Sequence, residues 1–436
     1  MPAPALPRRV RIGYSLGSVA TGSFGTVPGL LLLPYLTDTL GIAAAVAGAI
    51  VLVPKAWDVV LNPIAGRISD RHGSRRPFLL WAGIALAVCF ALLFAGPDLG
   101  SRAADAAWVL LAFLACATAY AFFQVPYVAM PAEITSGYAE RTRLMTWRVA
   151  VLALAILVSG ASAPAIRDAV GGREGYRVMG LVVAALLLAG TLGAYFGTAR
   201  TPSGPVVAAG GSLRDQLRII AQVKDFRLLL STFVLQALAT GAMLAGVDYL
   251  ARHVLGDTGA ATVLFVCFVG PALLVMPLWQ RVGDRFGKKS GYVAASVLLA
   301  TGALALVGAQ RLPEALIYAA TGLVGVGYAG AQVFPMAMLP DIAAVDAART
   351  GSRRAGVFTG VWTAGETLGL ALGPGLYALV LALGGYVSST GGDAVQPGSA
   401  LTAIVLGFSV LPAALTAVSL LALRGYRLEA TQVEVS

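Results

Sequence analysis

The stretch LVPKAWDVVLNPIAGRISDRHGSRRPF, residues 52–78, decides the fold. It opens as an apolar helix, carries Lys55 and Asp58 in its middle, and then breaks into charges between Arg67 and Arg76. Residues three apart share a helix face, so such a pair is ordinary in water. In hydrocarbon an ionised side chain is costly and has to face a protein interior or a water-filled cavity. The rest of the chain says which solvent applies.

Of the 436 residues, 58% are hydrophobic and only 12% are charged, and the mean hydropathy is +0.81. A soluble protein carries about 25% charged residues, so a soluble fold of this size would lack the polar groups to cover its surface. The apolar residues come in long blocks, many reaching the roughly 20 residues that cross a bilayer. Barrel strands read as short alternating segments, and none are seen here. The composition therefore predicts an all-α polytopic membrane protein. The basic N-terminus, MPAPALPRRVRIGY, precedes an apolar run too long for a signal peptide, so that run is read as the first span.

Twelve spans are predicted, from 13–36, 42–65 and 77–96 through 356–385 and 400–424, with both termini on one side. With the N-terminus inside, 24 of the 31 Lys and Arg residues fall in inner segments, six in outer segments, and Lys55 within a span. That bias is the positive-inside pattern of a plasma (inner) membrane protein with cytoplasmic termini. It accounts for the net charge of +10 without a nucleic-acid partner. Cys89, Cys116 and Cys267 lie in apolar blocks without metal-ligand spacing and read as small buried hydrophobes. With two histidines in all, no metal site is expected. No Ser/His/Asp or phosphate-loop constellation appears, so an enzyme is not expected.

The halves repeat each other. NPIAGRISDRHG (62–73) is echoed by MPLWQRVGDRFG (276–287), with Pro, Arg, Asp-Arg and Gly at a constant offset of 214. QVPYVAMPAEITSGYAERT (124–142) is echoed by QVFPMAMLPDIAAVDAART (332–350) at an offset of 208. The chain is thus divided into an N-terminal six-helix bundle (1–198), a linker (199–227), a C-terminal six-helix bundle (228–424) and a tail (425–436). Leu213, Leu217, Ile220 and Val223 recur at helical spacing in the linker and predict a short surface helix. Parallel repeats of this kind imply a binding site near the midplane between them.

The motif Gly66-xxx-Asp70-Arg71-x-Gly73-x-Arg75-Arg76 resembles the loop 2–3 signature of the major facilitator superfamily. Tyr35-Leu-Thr37-Asp38-Thr-Leu-Gly41, Trp57-Asp58-xxx-Asn62-Pro63, Arg75-Arg76-Pro77-Phe78 and Gly360-x-Trp362…Glu366-Thr367-x-Gly369…Gly384-Gly385-Tyr386 are similar to the glycoside–pentoside–hexuronide:cation symporters. The resemblance covers nearly the whole chain and implies alternating access coupled to sodium or protons. It implies coupling carboxylates on helices 2 and 4, a sugar-binding aspartate on helix 1, an arginine opening helix 5 and a lysine on helix 11. Asp58 matches the first helix 2 carboxylate, Lys55 a basic residue just before it, and Arg148 the helix 5 arginine. Asn62 stands where the second helix 2 acid is expected, Gln124 at the helix 4 acid, Gly22 at the helix 1 acid, and Thr367 at the helix 11 lysine.

Two readings of Lys55 and Asp58 are open: an ion pair that locks the helix, or an acid that takes part in cation or proton coupling and a lysine that tunes it. Glu366 has no neutralising neighbour on its own helix, which points to protonation coupling or solute contact, with a structural hydrogen bond as the alternative. Gln124 and Gln332, at equivalent places in the repeats, together with Arg148, Asn62 and Thr367, are candidate solute ligands, and Tyr120 and Trp362 (with Trp57 and Tyr127) are candidate stacking rings. The competing readings are hydrogen bonds between helices for the glutamines, a side chain reaching to the inner water boundary for Arg148, and packing for the aromatics. Asp248 is a candidate gate residue. At the inner surface, Asp70 with Arg71, Arg75 and Arg76, Asp284 with Arg285, Lys288 and Lys289, Glu133 with Arg141, and Asp341 with Arg349 predict a conformational latch of charge-assisted hydrogen bonds. The expected function is cation-coupled symport of a sugar, glycoside or related polar solute by a monomer in the lipid bilayer. Two alternatives are a proton-driven exporter or carrier of amphiphiles, and a transporter-like sensor. The only small partners expected are the solute and a coupling H+ or Na+, with no cofactor.

Overall fold

The computed structural model describes residues 6–72, 74–134, 138–199, 201, 218, 222–350, 355–390 and 394–428. Most of the predicted linker helix falls outside them, as do the side chains of Asp70, Glu133 and Arg141. Among the described residues there is no strand, and twelve helices are long and apolar enough to cross a bilayer. In lipid every backbone polar group has to be satisfied by the protein, in a helix or a closed barrel, and these long unbroken apolar runs fit the helix.

The chain divides into two units. Unit 1 comprises Met1–Ala208 and Ser388–Val395, and unit 2 comprises Ala209–Val387 and Gln396–Ser436. Unit 1 holds α1 (Arg8–Pro34), α2 (Ala44–Arg71), α3 (Arg76–Phe94), α4 (Arg102–Ala129), α5 (Tyr138–Val170) and α6 (Gly172–Thr198). Unit 2 holds α7 (Lys224–Tyr249), α8 (Ala260–Phe286), α9 (Lys288–Ala305), α10 (Glu314–Thr350), α11 (Ala355–Leu383) and α12 (Gly398–Arg424). The segment Ser388–Val395, which follows α11 in sequence, clusters with unit 1, where the Ser389 N–H donates to the Thr37 carbonyl at 3.0 Å.

The sequence repeat reappears as a repeat of packing. In unit 1, α1 packs on α5 and α6, α2 on α4, and α3 on α4 and α6. In unit 2, α7 packs on α11 and α12, α8 on α10, and α9 on α10 and α12. The first helix of each unit also runs on into a π-helical turn, Tyr35–Thr39 after α1 and Leu250–Leu255 after α7. Each is followed by a glycine in the left-handed region, Gly41 at φ +66° and Gly256 at φ +71°, where a Cβ would be strained.

The α1–α6 contact is closest where glycine meets glycine. A Cβ built on Gly13 would lie 2.4 Å from the Cα of Gly197. Backbone cannot step aside as a side-chain tip can, so the helices would have to part. Overpacking of this kind costs about 1–3 kcal/mol. Gly13→Ala is therefore expected to lower the unfolding temperature of the detergent-solubilised protein, and an unaltered melting curve would refute the contact.

The charged helix ends show how each bundle closes on itself. Arg76, at the start of α3, donates to the Ala199 carbonyl at 2.9 Å, to the Thr201 hydroxyl at 2.8 Å and to the Thr201 carbonyl. Lys289, at the start of α9, donates to the carbonyls of Arg424 (3.3 Å) and Tyr426 (2.6 Å). In each unit a cation opening the third helix thus grips carbonyls at or just past the end of the sixth, where the helix dipole favours positive charge. These contacts differ from the expected latch. Arg76 and Lys289 hold carbonyls inside their own bundle, and Lys288 takes Asp341 at 2.6 Å in place of Arg349. Asp284 is exposed and has no ion-pair partner among the described residues. Arg285 lies over the ring of Phe286, 5.3 Å from its centroid. Arg71 and Arg349 are exposed, and Arg75 is buried.

Candidate functional site

In unit 1 the site is built from four helices. Asp58, on α2, is 3% exposed, and its Oδ1 is buried without a hydrogen-bond partner among the described residues. Lys55 lies one turn earlier on the same helix, yet the two form no ion pair within 4.0 Å among the described residues. The Lys55 ammonium instead stands 5.3 Å from the ring centroid of Phe24 on α1 and 5.8 Å from that of Phe113 on α4. A desolvated cation over aromatic faces gains about 2 kcal/mol, enough to compete with an ion pair that would have to desolvate both partners. The locking ion pair is therefore absent, and a buried carboxylate oxygen is left open. Tyr120 on α4 packs against the same Phe24 ring at 4.5 Å. Asn62 and Gln124 are half-buried.

Gly22, at the place of the expected acid on α1, lies in a close helix contact. A Cβ at Gly22 would meet the Ala155 Cβ at 3.1 Å and the Leu152 carbonyl at 3.2 Å. The position is a contact between α1 and α5, tight enough that any side chain there would require its neighbours to give by a few tenths of an ångström.

Nearer the end at which α1 begins, Arg148 on α5 lies 5.3 Å from the centre of the Tyr127 ring and interacts with its hydroxyl. It is half-buried and has no ion pair among the described residues, and its Nε–H is buried without an acceptor. The guanidinium is thus stacked within the bundle and is not a side chain stretched towards the water.

In unit 2 the polar groups are fewer. Glu366 on α11 is half-buried and has neither an ion pair nor a hydrogen bond among the described residues. Tyr328 on α10 is its electrostatic neighbour and hydrogen-bonds in turn with Gln332, one turn along the same helix. Tyr328 packs against Phe268 of α8, with centroids 5.3 Å apart. Thr367 is half-buried beside Glu366. Trp362 is placed differently from the stacking role expected of it. It is 1% exposed and stacks on Phe233 of α7 at 4.4 Å, within the core cluster that includes Phe226, Trp279 and Phe334. Trp57 turns to the outside of its bundle at 44% exposure and donates to Thr118 at 3.1 Å. Asp248 is fully buried and paired with Arg252 at 3.0 Å, at the π-helical turn.

The structure thus gathers Lys55, Asp58 and Tyr120 in unit 1, with Arg148 on Tyr127 in the same unit, and gathers Glu366 with Gln332 in unit 2. Phe24, Phe113 and Tyr328 were missed by sequence reasoning. The two phenylalanines carry no signal beyond apolar residues in apolar spans. Tyr328 falls four residues before Gln332, a spacing that puts both on one face and could have found it.

Comparison with known proteins bears on the whole chain. A family model described as MFS/sugar transport protein matches residues 13–430. The putative glycoside/cation symporter YagG of Escherichia coli (strain K12) is 27% identical, over 98% of this chain and 94% of its own length. The glucuronide carrier protein homolog of the same organism is 28% identical, over 87% of this chain and 85% of its own. Among solved structures, a D-xylose-proton symporter superposes with a TM-score of 0.74 at 12% identity, covering 97% of this chain and 98% of that one.

Proposed function

The chain belongs to the MFS/sugar transport protein family, and from that premise we propose that it is a secondary transporter that carries a sugar or glycoside by alternating access, coupled to protons or sodium. The observation that carries the reading is Asp58, a carboxylate held in the membrane interior with an oxygen left open. Its nearest cation, Lys55, is occupied by aromatic rings. A buried carboxylate without a partner is unstable as a structural element and is suited to a group that takes up and releases a positive charge on each cycle. Glu366 is the second such acid, and Arg148, Gln124 and Gln332 supply donors suited to a hydroxyl-rich solute. The names of the relatives, a glycoside/cation symporter and a glucuronide carrier homolog, support the same class. With 24 basic residues in the segments at one end of the spans and six at the other, we place both termini in the cytoplasm.

Purified protein in proteoliposomes tests this. A panel of glycosides, uronates and lysolipids is offered under an imposed proton or sodium gradient. Accumulation of at least one sugar or glycoside above its outside concentration is expected, and only with a gradient present. Accumulation of lysolipids alone, or of nothing by protein that is correctly folded, would overturn the proposal.

A further inference from the structure

Arg148 is an odd cation. Among the described residues its charge is met by no carboxylate, and a guanidinium in a half-buried place normally has one. What it has is Tyr127, met at both the ring face and the hydroxyl, and that ring is held by more than packing. The Tyr14 hydroxyl on α1 donates to the Tyr127 carbonyl on α4 at 3.0 Å, and the Tyr127 hydroxyl donates back to the Tyr14 carbonyl at 2.8 Å. The two rings stack at 4.7 Å with 26° between their planes. The Ser18 hydroxyl is a further partner of the Tyr127 hydroxyl at 3.0 Å. The ring occupies space left by a missing side chain, because a Cβ at Gly17 would fall 2.4 Å from its Cε2. Each constraint removes a freedom of the Tyr127 ring, and the Arg148 guanidinium rests against it.

We propose that Tyr127, clasped by Tyr14, Ser18 and the space at Gly17, is a positioning residue that fixes the Arg148 guanidinium for the solute. The inference rests on the reading of Arg148 as a solute ligand. A planar fork of five N–H donors recognises oxygens only when its plane is set. A carboxylate could set it, but would also neutralise the charge and occupy the donors. An aromatic face sets the plane and leaves donors free for the hydroxyls or carboxylate of a sugar.

The test uses the full-length protein in proteoliposomes. Solute KM, maximal rate and thermal unfolding are measured for Tyr127→Phe, Tyr127→Met, Arg148→Lys and the corresponding double variants. Phenylalanine keeps the ring and loses the hydroxyl. Methionine keeps apolar bulk and loses both. KM is expected to rise in the order wild type, Phe, Met. The methionine variant should be weaker by between about twofold and thirtyfold, the span of one cation–π contact. In the Arg148→Lys background the same substitutions should add little, because the group they position is gone. A purely structural knot would lower the unfolding temperature in both backgrounds and leave KM unmoved, and that result overturns the proposal. Full additivity with Arg148→Lys overturns it equally. If Arg148→Lys itself leaves KM unchanged, the reading of Arg148 as a ligand is what fails. Should the methionine variant not fold, the phenylalanine variant decides, with at least a twofold rise in KM that vanishes in the Arg148→Lys background.

Discussion

Asp58→Asn is expected to abolish uphill transport while leaving the protein folded and able to exchange solute down its gradient. The side chains are nearly isosteric, and the substitution breaks no ion pair among the described residues, since Lys55 stands over Phe24 and Phe113. The stability cost should therefore be small, in contrast to the 3–5 kcal/mol typical of breaking a buried pair. What is lost is the ability of a buried oxygen to take and release a proton or to neutralise a metal cation. The size of the effect follows from the gradient. One pH unit is worth about 1.4 kcal/mol per proton, a tenfold concentration ratio at equilibrium, and 100 mV adds about 2.3 kcal/mol per charge. A wild-type vesicle can then accumulate solute by roughly two to three orders of magnitude under both forces. The variant should stay near a ratio of one while counterflow continues. Retained accumulation would remove Asp58 from the coupling step and with it the main support for the proposed function. Loss of counterflow together with loss of thermal stability would mean that the carboxylate holds the fold.

How much of this was legible beforehand differs from residue to residue. The twelve spans were, because long continuous apolar runs fit the helix, one of the two folds that satisfy a backbone in lipid. The two-fold repeat was also legible, and the same helix pairings recur in both units. Lys55 and Asp58 were legible as membrane-embedded charges on one helix face. Their separation was not, because the rings that draw Lys55 away come from α1 and α4, and no local pattern records which helices will be neighbours. Trp362 failed for the same reason: an aromatic in a motif with Glu366 looks available for a solute until α7 brings Phe233 against it. The charges at the start of α3 and α9 were read as parts of a latch. Their partners are the carbonyls following α6 and α12, and backbone acceptors cannot be seen in a list of side chains. Gly22 is the converse case. A departure from the family pattern, read as a lost ligand, coincides with a close helix contact, so packing accounts for the residue as directly as chemistry does.

Glu366→Gln is expected to remove the response of uptake to a pH gradient, with a separate signature from Asp58. Glu366 stands in the other unit, half-buried, without an ion pair or hydrogen bond among the described residues, and with Tyr328 as its polar neighbour. A neutral amide of the same length keeps the shape, and Tyr328 already keeps company with one amide at Gln332. The folded state should therefore lose no more than the roughly 1 kcal/mol of a single hydrogen bond. The variant has nothing to titrate, so the proton-driven component should fall to the rate seen with equal pH on both sides. Glu366→Asp, which keeps the acid on a shorter stem, should restore part of it, and that partial rescue separates loss of a proton site from loss of shape. Where a sodium gradient also drives wild-type uptake, the glutamine variant should keep that component and Asp58→Asn should lose it. This divides the work, with Asp58 necessary for coupling of any kind and Glu366 for sensing the proton. Unchanged pH-driven uptake by the glutamine variant would refute the assignment to Glu366. Equal loss of sodium-driven and proton-driven uptake in both variants would instead make the two acids parts of one site, with neither role its own.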